Sequence, residues 1–591
     1  LFATDIEYGR YLALNVLAGA ILTVLSLAFQ SLTSALLLAA LGLLGLVPIA
    51  LTGHAAGVAN HALAVNSIGM HLVAVTIWVG GLAALVAVRD ADAERQANLV
   101  KRYSTLALIA FVIVAISGIS VALLGLGSLE NIFTPYGLLV LMKSAALLLL
   151  GAIGGHYRYR LINRMATVTA KAKEFWLIVL GELLVMGAAV GLGTTLSRTA
   201  PPEDPLATFV PTPASILTGE PLPSELLPET WFTAWRIDIL WTTIAVGAIL
   251  IYLVGVFRLN RRGDKWPISR TLSWIGGWVF LFYITSGAPN VYEQYLFSVH
   301  MTSHMMLTMG VPLLLVPGAP GTLLVRAAAK RKDDSRGLRE WALWAVHTKW
   351  AQLVSNPLFA GVNFAASLVI FYFTPIFSWA TREHVGHQWM IIHFVITGYL
   401  FVQALVGIDP GPQQLPYPIR LMLLIGTLAF HAFFGLSLMS GSGLLLADWY
   451  GAMGRTWGQS PIDDQHTGGA MENAAVQPAR HGSGGGRPAA GTGLQAQPAG
   501  GPLGWRGHRG TDVPGRPCPP HSGGRPQRRA AALGRRGRAA VCTGRPAVGL
   551  GPLGAPVVCP ARPRATGAAA PDRRHRFQAR RHWHGLVRPT G

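Results

Sequence analysis

The chain has 591 residues, of which 51% are hydrophobic and 13% are charged, and its mean hydropathy is +0.42. These values are typical of a polytopic membrane protein and argue against an ordinary soluble enzyme. The net charge of +21 is concentrated at one end, because residues 471–591 contain 20 Arg, no Lys and three acidic residues, which leaves only +4 for residues 1–470.

Apolar runs along residues 1–470 predict an all-α polytopic membrane protein with about twelve transmembrane helices. A helix needs roughly 20 residues to cross about 30 Å of hydrocarbon. The predicted spans are residues 11–29, 33–51, 68–88, 103–126, 137–156, 175–196, 235–257, 271–287, 292–316, 358–378, 388–408 and 420–446. The first residue is Leu and no basic region with a cleavage site precedes the first span, so we expect no signal peptide and a missing start.

Lys and Arg in the short loops predict the orientation of these spans. Four basic loops alternate with loops that lack this excess, and basic loops favour the cytoplasm. They are residues 89–102, 157–174, 258–270 and 326–350. The segment 197–234 is rich in Pro and acidic residues, which indicates an outer-side linker between two helical domains, residues 1–196 and 235–470.

The ninth predicted span contains two His and four Met within residues 300–309. On a helix, His300 and His304 share one face, and Met301, Met305 and Met309 form a neighbouring stripe. Imidazole suits copper and zinc, and thioethers favour Cu(I). A Met stripe alone is more often core packing. Two His inside a membrane span, however, favour a functional site.

Most His residues of residues 1–470 fall on the predicted outer side. Only His156 and His347 fall on the cytoplasmic side. A single loop His is an ordinary surface residue, but the common side predicts metal or proton chemistry at the outer face. The histidines that lie at or near that face, or at mid-membrane depth, are His54, His61, His71, His300, His304, His384, His387, His393, His431 and His466.

A group of short motifs marks the first half of the chain. They are Leu51-Thr52-Gly53-His54-Ala55, His71 followed by Trp78-Val79-Gly80-Gly81, Arg102-Tyr103-Ser104, Ser117-Gly118, Thr134-Pro135-Tyr136-Gly137 with Lys143, and Glu182. With these motifs, the first half resembles the copper resistance protein D family. The resemblance implies membrane copper uptake or tolerance, and we select His54 and His71 as its metal ligands.

A second group marks residues 235–470. It comprises His300-Met301-Thr302-Ser303-His304-Met305-Met306, Pro312, Pro317-Gly318-Ala319-Pro320, Ser355-Asn356-Pro357, His393 with Gly398-Tyr399, and His431-Ala432-Phe433-Phe434-Gly435. This half resembles the CtaG-type cytochrome c oxidase assembly factors. The resemblance implies delivery of copper to the CuB site of an oxidase in the same membrane. The predicted ligands are His300, His304 and Met305, followed by His431, His393 and Met301.

Together these features predict a non-enzymatic copper-handling protein that binds Cu(I). The expected location is the bacterial plasma membrane, with the metal site facing the outer side. Its expected partners are the lipid bilayer, the oxidase subunit that carries CuB, and an outer-side copper donor protein. A His/Met site without thiolate suits an ion that must be released.

Two other functions remain open. A transmembrane electron-transfer protein would use His71, His393 and His431 as axial ligands of haem, and an optical spectrum would distinguish it from a copper carrier. An ion-coupled transporter would use Lys143 and Glu182, which lie in adjacent predicted spans.

The segment 471–591 departs from the family pattern, which continues with a further apolar span. It consists mainly of Arg, Gly, Ala and Pro and contains all three cysteines of the chain, so the apolar body has no thiol for a disulfide or a cysteine metal site. This composition predicts a disordered tail, and we interpret it as a frameshifted reading of GC-rich DNA. The alternative is a basic tail that binds nucleic acid or anionic lipid. We expect no nucleic-acid partner, because the Arg residues are scattered and aromatic residues are scarce.

Overall fold

A computed structural model of the chain describes residues 5–51, 60–88, 93–164, 172–202, 211–331, 335–409 and 415–476. Within these ranges every regular element is helical, which confirms the predicted all-α class. The described part contains ten helices long and apolar enough to cross a membrane, or eleven if one bent pair is a single span. The chain is therefore a multi-pass membrane protein. The predicted disordered tail lies outside the described residues from 477 onward.

The first half forms a bundle of long helices. They are α1 (Glu7–Ala28), α2 (Leu32–Leu44), α3 (Val47–Ala50), α4 (His61–Ala87), α5 (Ala93–Leu126), α6 (Pro135–Arg164) and α7 (Ala172–Leu196), with a 3₁₀ turn at Leu129–Phe133. The core between α4 and α5 contains Trp78, Leu82 and Val114. The hydroxyl of Tyr103 donates to the carbonyl of Trp78 at 3.1 Å and joins these two helices.

The second half begins with short helices and continues with a larger bundle. The short helices are α8 (Pro213–Thr218) and α9 (Thr230–Thr233). The next helices are α10 (Ile239–Arg261), α11 (Ile268–Ser286), α12 (Ala288–Tyr292), α13 (Phe297–Met305), α14 (Val311–Leu315), α15 (Pro320–Ala327), α16 (Leu338–Val346) and α17 (Lys349–Val354). The last helices are α18 (Pro357–Tyr372), α19 (Pro375–Arg382), α20 (His384–Val406), α21 (Tyr417–Ser440), α22 (Ala447–Tyr450) and α23 (Pro461–Val476).

Two of the twelve predicted spans differ from the observed candidate spans. The predicted span 358–378 is divided into α18 and α19, which meet at 76°. Pro375 opens the second helix, and proline cannot continue the hydrogen bonding of the first. The predicted span 271–287 forms α11 but is absent from the candidate spans. Arg270 and several Ser, Thr and Trp residues in α11 lower its hydropathy, so the count of about twelve falls to ten or eleven.

Loops predicted to be cytoplasmic come together at one end of the second bundle. The guanidinium of Arg326 lies 3.6 Å from the carboxylate of Asp264. The guanidinium of Arg262 donates to the carbonyl of Arg326 at 3.3 Å. The predicted loops 258–270 and 326–350 therefore lie on one side of the bundle, as alternation requires.

Helix α23 packs directly on the helix that contains His300 and His304. Asp464 accepts hydrogen bonds from the backbone N–H of Phe297, at 2.7 Å, and of Ser298, at 3.4 Å, so it caps the start of α13. A Cβ on Gly469 would lie 2.7 Å from the carbonyl oxygen of Gly435, so α23 and α21 pack backbone to backbone. The proposed boundary between residues 470 and 471 falls inside α23.

Replacing Asp464 with Ala should destabilise the protein by about 0.5 to 2 kcal/mol, the usual cost of losing a helix N-cap. The thermal unfolding midpoint in detergent measures this change. Asp463→Ala is the matched control, because Asp463 is exposed and its carboxylate accepts a hydrogen bond from Ser460 in its own segment. Its expected effect is within about 0.5 kcal/mol. Equal shifts in the two variants would contradict the capping role.

Candidate metal centre

Helix α13 places the predicted ligands in the driest part of the second bundle. The exposed fraction is 4% for His300, 1% for His304, 0% for Met301 and 7% for Met305. The two imidazole rings lie on the same face, with their centroids 6.3 Å apart. A π-helical turn, Met306–Gly310, follows α13 directly. Such turns are rare and occur frequently at functional sites.

Aromatic rings surround both imidazoles. The ring of His300 lies 5.3 Å from Phe377 and 5.9 Å from Tyr372 between centroids. The ring of His304 lies 5.6 Å from Phe371 and 5.4 Å from Tyr372. This packing keeps water away from the two side chains and allows them few alternative rotamers.

Three imidazole nitrogens in this region lack a hydrogen-bond partner. Within the described residues, the buried Nε2 atoms of His300, His304 and His431 are all unpartnered. His431 is 1% exposed, and its Nδ1 lies 2.9 Å from the carbonyl oxygen of Thr427. That carbonyl can only accept, so Nδ1 carries the proton and Nε2 keeps its lone pair. A buried polar atom without a partner costs about 1 to 3 kcal/mol, and a bound metal ion would remove this cost.

Tyr372 links His304 to the neighbouring thioether. The hydroxyl of Tyr372 lies 3.2 Å from Nδ1 of His304 and 3.7 Å from the sulfur of Met301. If the hydroxyl donates to the sulfur, it accepts from Nδ1–H. In this arrangement Nε2 of His304 keeps its lone pair, and the Tyr372 hydroxyl orients the ring, as hydrogen-bond partners do in many metal sites.

His393 lies at the edge of the same cluster. It is half-buried, and its ring stacks on Trp389 with centroids 4.8 Å apart. The ring of Phe394 contacts the rings of both His304 and His393. The structure thus places His300, Met301, His304 and Met305 on one buried helix, with His393 beside it on α20 and the buried His431 on α21.

Whether these residues can hold a metal ion depends on how many ligands that ion requires. In the part of the chain that the structure describes, no group of three or more His, Cys, Asp or Glu has the arrangement of a metal site. The residues present are paired imidazoles with adjacent thioethers. This donor set fits a soft ion that accepts few ligands, such as Cu(I), better than Mg²⁺ or Ca²⁺, which require oxygen ligands.

Sequence reasoning missed Glu472, which it placed in the tail. Glu472 lies on α23 and is 0% exposed, and neither of its carboxylate oxygens has a hydrogen-bond partner among the described residues. Its helix packs against α13, which bears His300 and His304. The spacing of Asp464, Gly468 and Glu472, four residues apart, was a signal for a packed helical face.

Glu293 is a second buried acid close to α13, and it precedes the candidate span Phe297–Ala327. Its exposed fraction is 5%. Its carboxylate lies 3.4 Å from Nε2 of His387. Burial raises the pKa of Glu293 to about 7, because the charged carboxylate is poorly solvated there.

Of the two ligands predicted in the first half, His71 packs within the first bundle. His71 lies on α4, and its Nδ1 is 3.0 Å from the hydroxyl of the buried Ser117 on α5. His54 lies outside the described residues. The assignment of metal binding to His54 and His71 therefore remains a prediction.

Two family models match separate parts of the chain. Residues 250–478 match the cytochrome c oxidase caa3 assembly factor family. Residues 97–196 match the copper resistance protein D family. The first match includes the whole of α23, and with it Asp464 and Glu472.

Several curated proteins are similar to part of the chain. An uncharacterized protein of Mycobacterium leprae is 39% identical over 263 residues, 44% of this chain and 40% of that protein. One of Mycobacterium tuberculosis is 41% identical over 257 residues, 43% of this chain and 39% of that protein. The copper transport protein CutJ of Bacillus subtilis is 32% identical over 189 residues, 30% of this chain and 33% of that protein.

The matched region thus spans about two fifths of the mycobacterial relatives. No solved structure matches the chain. The two family matches lie in the two helical halves, and the cluster of buried imidazoles lies within the second match. The chain combines a copper resistance protein D domain with a caa3-type cytochrome c oxidase assembly factor domain.

Proposed function

We propose that this protein carries Cu(I) within the bacterial plasma membrane and delivers it to the CuB site of cytochrome c oxidase during assembly. The observation that carries the proposal is the pair of buried, unpartnered Nε2 atoms of His300 and His304, on the helix that also bears Met301 and Met305. They lie in the region matched by the oxidase assembly family. The protein acts as a carrier and catalyses no covalent chemistry.

The donor set suits an ion that is held and then released. Imidazole and thioether bind Cu(I) without the closed thiolate cage that would retain it. Two imidazoles that bind one ion through nitrogens at about 2 Å have ring centres roughly 5 to 6 Å apart. The 6.3 Å between the ring centroids of His300 and His304 is close to this value.

The packing favours a single ion over haem. Aromatic side chains lie against the faces and edges of the buried imidazoles, including Phe371 and Tyr372 at His304 and Phe364 at His431. These rings occupy the space that a porphyrin between axial ligands would need. We therefore prefer the copper carrier to the electron-transfer protein.

The first domain is proposed to take up copper or confer tolerance to it. Its match to the copper resistance protein D family and the similarity of the chain to a protein named for copper transport support this role. In the proposed orientation, the ends of α4 and α13 that bear His61 and His300 face the outer side. Copper would then be supplied from outside the cytoplasm, by the outer-side donor protein or as free ion.

Deleting the gene should lower the copper content of the oxidase at CuB while its haem content is retained. The measurement is copper per haem in oxidase purified from deleted cells and from cells in which the wild-type gene is restored. We expect a loss of most CuB copper at limiting copper supply and recovery on complementation. Full CuB occupancy in deleted cells at limiting copper would contradict the proposed function.

A further inference from the structure

A second histidine cluster lies where the first and second halves of the bundle meet. A cavity of about 510 Å³ opens there, lined by residues of α4, of the segment before α10 and of the start of α20. Its chemistry-bearing residues are His61, Glu220, Asp238, His384, His387 and Gln388. None of them belongs to the predicted ligand set.

His61 and His384 form a pair across the junction. Their ring centroids are 5.9 Å apart and the rings are perpendicular. This separation agrees with the roughly 5 to 6 Å expected for two imidazoles that bind one ion through nitrogens at about 2 Å. His61 comes from the first half and His384 from the second, so neither half holds the pair alone.

A buried network sets the orientation of His384. The side-chain amide of Asn66 donates to both carboxylate oxygens of Asp238, at 3.1 and 3.0 Å. The amide oxygen of Asn66 must then accept, and Nε2 of His384 lies 2.8 Å from it. Nε2 therefore carries the proton, and Nδ1 of the neutral ring keeps its lone pair. Hydrogen bonds from the second ring nitrogen to a fixed oxygen commonly orient metal-binding imidazoles in this way.

The cations that line the cavity have other partners. The guanidinium of Arg236 donates to the carbonyl oxygen of Asn290, and the guanidinium of Arg382 pairs with Asp448. Asp238, Glu220 and Glu383 also line the cavity. Acidic groups near a pair of neutral imidazoles attract a cation.

His387 connects this cavity with the buried centre on α13. It lies three residues after His384 on α20 and also lines the cavity. Its Nε2 is 3.4 Å from the carboxylate of Glu293, which lies four residues before the start of the helix that bears His300. His387 thus lies against both the cavity and the segment that leads into the buried centre.

We infer that the junction cavity is an entry site for Cu(I), where His61 and His384 capture the ion and His387 transfers it to His300. The inference rests on the proposed function for the identity of the ion. Each step exchanges one copper–nitrogen bond for another, so copper stays in the Cu(I) state and no oxidant or reductant is required. The capture pair takes one residue from each half.

The test compares His384→Ala with the wild-type full-length chain in detergent, titrated with Cu(I) against a colorimetric Cu(I) chelator. His347→Ala is the matched control, because His347 is exposed and is not among the residues that line the cavity. The wild type should bind at two places. His384→Ala should lose the cavity ion. Its buried centre should fill at least 10-fold more slowly, with the loading rate measured from the quenching of Trp fluorescence. Its buried centre should keep the wild-type affinity, which also reports a correct fold.

Wild-type stoichiometry and loading rate in His384→Ala would overturn the inference. Loss of affinity at the buried centre would overturn it too, because His384 would then be structural. Asn66→Leu provides a second variant, expected to slow loading while His61 and His384 are retained. Normal CuB content after gene deletion, together with slow loading in His384→Ala, would refute delivery to the oxidase but leave the entry site standing.

Discussion

Replacing His300 and His304 together with Ala should lower the affinity of the buried centre for Cu(I) by about 100-fold or more. Loss of an outer-shell partner alone typically costs 10 to 100-fold in metal affinity, and this variant removes two proposed ligands. Competition with a Cu(I) chelator measures the change. The loss should be accompanied by a fall in CuB copper when the variant replaces the wild type in cells.

The metal-free double variant should be about as stable as the wild-type protein. Truncating two buried rings leaves space that costs stability. The same change removes two buried nitrogens without partners, each of which costs about 1 to 3 kcal/mol in the metal-free protein. His347→Ala again serves as the control, with unchanged copper affinity. A double variant that binds Cu(I) as tightly as the wild type would show that the buried imidazoles are not the ligands.

Gly398→Ala should disrupt the packing beside the metal centre. A Cβ at this position would lie 1.8 Å from the carbonyl oxygen of Thr308 and 2.9 Å from Cγ of Pro312. The obstacle at Thr308 is backbone in the π-helical turn and cannot rotate away as a side chain would. Overpacking of this kind costs typically 1 to 3 kcal/mol. We expect a lower thermal unfolding midpoint and weaker Cu(I) binding, because the π-helical turn follows His304 and Met305 directly.

Gly426→Ala is the matched control for this substitution. Gly426 lies inside α21, and a Cβ there would meet no atom within 4 Å. Ala has a higher helix propensity than Gly, so the control should be neutral or slightly stabilising. Equal destabilisation of both variants would mean that the contact at Gly398 does not limit the packing of α20 on the π-helical turn.

The fold class and most helices could be predicted from the sequence, because span length and hydropathy are properties of single segments. The bend between α18 and α19 could not be foreseen from hydropathy, since the whole run 358–378 is apolar. Its signal was Pro375, which opens a new helix. The polar residues of α11 were also visible in the sequence. Hydropathy varies continuously, however, so no sharp value separates such a helix from a more apolar membrane span.

Four of the six ligands predicted in residues 235–470 lie on α13, where helical periodicity constrains their relative positions. His300 and His304 share a face through their spacing alone. The prediction of His431 as a ligand depended on its depth in another helix. That depth was inferred from the Lys and Arg residues in the loops. The residues that orient these imidazoles could not be predicted, because Tyr372 meets His304 only through the packing of α18 on α13.

The cavity at the junction of the two halves was beyond sequence reasoning for a similar reason. His384 contacts Asn66 across 318 residues, and no local pattern links two such positions. Glu472 was missed because the composition changes after residue 470, and the predicted second domain was therefore ended there. The i, i+4, i+8 spacing of Asp464, Gly468 and Glu472 indicated that the helix continued.

Copper-edge X-ray absorption of the Cu(I)-loaded full-length protein tests the central claim most directly, since it identifies the atoms bound to the ion. We expect nitrogen neighbours at about 2 Å with the outer-shell scattering of at least two imidazoles. We also expect a sulfur neighbour from Met301 or Met305, and loss of the imidazole signal of the buried centre in the His300/His304 double variant. An imidazole signal that is unchanged in that variant, or a spectrum with oxygen neighbours alone, would contradict the account.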